Sequence, residues 1–94
     1  MDYKNLILSY GIITILIVLQ ELEAKQNFEE CQKIINAINS VNKYLEIELP
    51  THITTDAIEE VIKDYLSFNI KTDTDKVMQQ STFYAQEIIE LIYD

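Results

Sequence analysis

Apolar residues crowd the start of the chain and then thin into stripes. Residues 6–19 read LILSYGIITILIVL, the most apolar stretch by a wide margin, and QELE follows directly. At about 100° per residue, Asn5, Ser9, Gln20 and Glu23 share one helical face. Ile12, Ile13 and Leu16 occupy that same face in the middle. A helix with polar ends and an apolar middle all round belongs inside a bundle or in a subunit interface. The β-branched residues between Ile12 and Val18 also suit a strand, but the pattern continues unbroken into residues 21–25 and favours one helix over residues 2–25. Gly11 inside such a helix costs about 1 kcal/mol relative to Ala.

The later segments are amphipathic. Phe28, Cys31, Ile34, Ile35, Ile38, Val41 and Leu45 recur at steps of three and four, opposite Gln32, Lys33, Asn36, Asn39 and Lys43. This predicts a second helix. Asn27 with Glu30 has the spacing of a capping box. The short Gln26-Asn27 connection makes the first two helices an antiparallel hairpin. Residues 46–54 are irregular, and Pro50 biases Leu49 to an extended conformation. A third helix begins at Thr55 or Asp56, where Asp56 with Glu59 again has capping-box spacing. Its stripe is Ala57, Ile58, Val61, Ile62, Tyr65 and Leu66, with Phe68 and Ile70 placed to cover the bundle end. Residues 71–75 form a polar turn, and a last helix runs over about 75–93. Its stripe is Val77, Met78, Tyr84, Ala85, Ile88, Ile89, Leu91 and Ile92. The expected fold is all-α: a small four-helix bundle of two helical hairpins, in one domain over residues 1–94, with a very apolar N-terminal helix.

Composition narrows the setting. The apolar run is interrupted by Ser9, Gly11 and Thr14 and is shorter than the roughly 20 residues a bilayer span needs, so a membrane helix is disfavoured. The start lacks the positive excess and small-residue cleavage site of a signal peptide. One Gly and one Pro disfavour a turn-rich β fold. Cys31 is the only cysteine, so an internal disulfide is impossible and a reducing, cytoplasmic setting is expected. The seven basic residues are all Lys and the net charge is −9. Direct binding to nucleic acid is therefore not expected, since that affinity comes from basic groups neutralising phosphates.

Candidate chemistry is sparse. Asp73-Thr74-Asp75 lacks the Gly and Glu that complete a calcium loop, because Met78 and Tyr84 stand at those positions. One His (His52) and one Cys cannot assemble a zinc site in one chain. Cys31 falls on an apolar stripe, where a free thiol behaves as a small hydrophobe. A single Gly excludes the glycine-rich phosphate loops. No catalytic, cofactor or metal residue is assigned, no cofactor is expected, and an enzyme is disfavoured. What stands out is charge: Glu46, Glu48, Asp56, Glu59, Glu60 and Asp64 against Lys63 alone. Asp56–Glu60 and Glu60–Asp64 are like-charged i,i+4 pairs, which mildly destabilise a helix. A docking patch for a basic partner surface is one reading and a solvated face the other. Size, acidity and the lack of catalytic groups resemble small inhibitor or immunity-type proteins, including phage-encoded ones. The expectation is a non-enzymatic acidic helical interaction module that occludes a basic surface of a nucleic-acid-processing or defence protein. The alternative is a structural or oligomerising subunit of a larger assembly. Homo-oligomerisation through Ile12, Ile13 and Leu16 is expected, because three partner helices in so small a chain leave that middle uncovered.

Overall fold

The computed structural model describes residues 1–45, 47–69 and 73–94, with every side chain among them except that of Lys43. Among the described residues five helices follow one another: α1 (Tyr3–Tyr10), α2 (Ile12–Ala24), α3 (Phe28–Leu45), α4 (Thr55–Asn69) and α5 (Thr74–Tyr93). The all-helical bundle is as the pattern predicts. The count rises from four to five because the N-terminal helix is broken at Gly11. There φ is 92° and ψ is 162°, torsions open to glycine and to almost nothing else. The Gly11 N–H still closes α1 onto the Ile7 carbonyl at 2.9 Å. Thr14 Oγ1 donates to the Tyr10 carbonyl at 3.1 Å, supplying a partner at the break. Thr14, a mere interruption in the apolar pattern, is fully buried there.

The other helix ends carry their own stop and start signals. Asp2 caps α1 by accepting from the Asn5 N–H at 3.2 Å. At the end of α2 the Asn27 N–H donates to the Leu22 carbonyl and the Gln26 N–H to that of Glu23. This is a Schellman closure, and Gln26 takes the left-handed position with φ 61°. Asn27 then caps α3 at once, its Oδ1 accepting from the Glu30 N–H at 3.4 Å. The cap of α4 is Thr54, whose Oγ1 accepts from the Ala57 N–H at 3.1 Å. Asp56 therefore lies in the first turn instead of capping the helix as its spacing with Glu59 predicts. Asp73 caps α5 by accepting from the Lys76 N–H at 3.0 Å.

The helix α2 is the centre, and α1, α3, α4 and α5 all pack against it. The Tyr10 ring lies 5.2 Å from that of Tyr84, tilted by 45°, and Lys25 sits over the Tyr93 ring, so α2 and α5 run in the same direction. Ile15, Leu16, Val18, Leu19 and Leu22 have no accessible surface. Ile34 and Ile38 of α3, Ile58 and Ile62 of α4 and Ala85 and Ile88 of α5 close around them. Ile12 and Ile13 are only 3% and 5% exposed and Leu16 is at 0%, so the chain's own helices cover the face predicted to self-associate. A second copy reaches those residues only by opening the bundle. The Cα radius of gyration of 12.2 Å is that of a compact globule of this length, about 12 Å. Phe68 does not cover the bundle end, being 81% exposed, and Ile70 lies outside the described residues. Phe28 and Leu91, both placed on apolar stripes by spacing, also face solvent.

Candidate functional site

Residues 47–53 leave α3 and climb back along α4. Ile47 lies level with Tyr65 and Phe68, whereas Leu49, Pro50 and Thr51 lie level with Ala57 and Glu60. Between this segment and α4 runs an open groove made of two adjoining depressions of about 430 and 480 Å³, which share Glu48, Val61 and Asp64. Buried Ile47 and half-buried Val61 and Tyr65 line it on the inside, and exposed Phe68 stands at its lower end. Glu48 borders it from the extended segment, and Glu60 and Asp64 from α4.

The acidic residues singled out by sequence divide into three groups. Glu48, Glu60 and Asp64 are exposed and meet at this groove. Asp56 is exposed one turn before Glu60 on the same helix. Glu59 turns inward: its Oε2 accepts from Gln20 Nε2 at 2.8 Å, and the same nitrogen donates to the Thr55 carbonyl at 3.1 Å. It ties α4 to α2 and is structural. Glu46 lies outside the described residues. Among the described residues the ion pairs are Lys25–Glu21 and Lys33–Glu30, neither of them at the groove.

Sequence reasoning missed the groove's apolar side. Val61 and Tyr65 look like ordinary core positions of an amphipathic stripe. Only the return path of residues 47–53 makes them a wall. A signal existed in Ile47 and Leu49 alternating with acids ahead of Pro50, since alternation in an extended segment puts apolar and charged side chains on opposite sides.

The titratable groups elsewhere are held by structure. Tyr3 is buried and its hydroxyl donates to Glu30, whose Oε1 also accepts from Lys33 Nζ at 2.9 Å. Those two donors hold the Glu30 carboxyl below its usual range. Burial, and then the bond to Glu30, push the Tyr3 hydroxyl up. Cys31 is buried on α3 and its thiol faces Glu23 Oε2 at 3.9 Å. Burial first, and then the Glu23 carboxylate, raise that thiol from 9 to about 11. A thiol so raised is a poor nucleophile at neutral pH. His52 is exposed in the segment before α4. Among the described residues no three His, Cys, Asp or Glu groups are placed to hold a metal, and no helix is long and apolar enough to cross a membrane. Comparison with known protein families, with characterised proteins and with solved structures returns no match.

Proposed function

We propose that the protein is a non-enzymatic, acidic helical interaction module of the cytoplasm. It covers a basic surface on a nucleic-acid-processing or defence protein and so occludes it. The observation that carries this reading is the set of exposed carboxylates of Glu48, Asp56, Glu60 and Asp64, gathered on α4 and the segment beside it, away from both ion pairs. Like-charged neighbours one turn apart cost helix stability. A basic partner offsets that cost, and complementary charge speeds encounter.

The test is kinetic. A partner is first isolated by affinity capture from the native host and then purified. Replacing Glu48, Glu60 and Asp64 by Gln, Gln and Asn keeps shape and leaves the Glu59–Gln20 contact intact. Association is expected to slow by roughly tenfold at low salt, with a shallower salt dependence and an unchanged fold. An unaltered rate at two ionic strengths would sink the reading. A second reading, a self-assembling structural subunit, has one observation in its favour. Leu8 of α1 and Phe83 and Leu91 of α5 are 72%, 63% and 63% exposed. Sedimentation of wild type against a Leu8→Gln, Phe83→Gln, Leu91→Gln variant separates it: association that the variant abolishes supports a subunit built through α1 and α5.

A further inference from the structure

We propose that the groove between residues 47–51 and α4 docks a short segment of a partner protein in which an apolar side chain is flanked by Lys or Arg. This rests on the interaction-module reading and names the contact through which it works. Three features of the groove define the occupant. Its inner side is apolar, formed by Ile47, Val61 and Tyr65. Phe68, 81% exposed, leaves a large ring uncovered at one end. Carboxylates stand on both walls, Glu48 on one and Glu60 with Asp64 on the other.

A cation lying over the apolar strip therefore meets acids from two sides. It also relieves the repulsion between Glu60 and Asp64, one turn apart on α4. The apolar side chain beside that cation excludes water and fills the strip, which is how a small interface gains most of its affinity. The same charges argue against other occupants. Phosphate backbones are repelled by three carboxylates. A second copy of a chain with net charge −9 brings acid against acid.

The probe is an amidated amphipathic peptide of Leu and Lys, titrated into the full chain and followed by backbone amide NMR. Two further peptides carry Gln for every Leu and Glu for every Lys. Shifts are expected to concentrate in residues 47–51 and 57–69. The Gln-for-Leu peptide is expected to bind about tenfold more weakly, and the Glu-for-Lys peptide not measurably. Phe68→Ala removes an exposed ring, so the fold is retained while affinity for the Leu/Lys peptide falls severalfold. Equal binding of the Leu/Lys and Gln/Lys peptides, with shifts spread to Glu87 and Glu90 of α5, overturns the groove and leaves the acidic-surface reading standing. Binding of the Leu/Lys peptide that is indifferent to salt and to Glu48→Gln, Glu60→Gln and Asp64→Asn overturns both.

Discussion

Gly11 occupies torsions that a residue with a Cβ scarcely adopts, yet an added Cβ there meets nothing within 4 Å. Its requirement is thus purely one of backbone conformation. Gly11→Ala is expected to lower stability by about 1–3 kcal/mol in urea unfolding. A gain of about 1 kcal/mol would instead mean that α1 and α2 form one continuous helix in solution, since Ala is the better helix former. Gln26 presents the opposite case. It is exposed and sits at φ 61°, where an L-residue with a side chain is strained. Gln26→Gly is expected to stabilise by about 0.5–1 kcal/mol, read in the same assay.

The start of α3 is where elements are fastened together. Asn27 ends the closure of α2 and begins α3, and its Nδ2 donates to the Tyr93 hydroxyl of α5 at 3.2 Å. One turn on, Glu30 receives Tyr3 from α1. Because the Glu30 carboxyl is held low, its contribution is fully present above the ordinary carboxylate range and is lost as pH falls through it. Cys31 behaves in the reverse sense. Its thiol is raised, so the contribution is present below about pH 9 and is lost as pH rises through about 11. Unfolding measured from pH 8 to 11 is expected to show a loss of stability that Cys31→Ser flattens. Glu30→Gln should flatten the acid limb and also make the alkaline one shallower, because the Glu30 carboxylate helps to raise both the Tyr3 hydroxyl and the Cys31 thiol. A Cys31→Ser profile parallel to wild type throughout would show that the thiol is not buried as described.

For the whole molecule, the decisive fact is that one helix is enclosed by the other four. Each outer helix needs only a narrow apolar stripe, because each meets α2 and solvent. The outer stripes therefore read cleanly while α2 reads as apolar all round. Leu16 lies at the centre with no exposure. Leu16→Ala is expected to cost about 2–5 kcal/mol through the cavity it leaves. That is a large part of the roughly 5–15 kcal/mol available to a small domain. The loss should appear as unfolding with a midpoint independent of protein concentration. A midpoint that rises with concentration, together with folded subunits on dilution, would return Leu16 to a subunit interface.

Local pattern was enough for the helical class, the amphipathic faces of α3, α4 and α5, and the cap Asn27. These depend on spacing within a turn or two, which is the range over which a helix senses its own sequence. The break at Gly11 escaped notice because a lone glycine is tolerated in a helix, and only packing α1 back onto α2 and α3 selects the torsions that stop it. The cap of α4 passed from Asp56 to Thr54 for a similar reason, since both have a suitable oxygen and the path of residues 47–53 decides which enters first. Enclosure of Ile12, Ile13 and Leu16 was likewise settled by tertiary structure: one chain folding back four times around α2 supplies the cover that a sequence pattern assigns equally to a partner. Charge made the acidic stretch legible, but not its division. Glu59 points at Gln20 on a helix 39 residues away in sequence, whereas Glu48, Glu60 and Asp64 share a groove whose two walls meet only when the chain returns along α4.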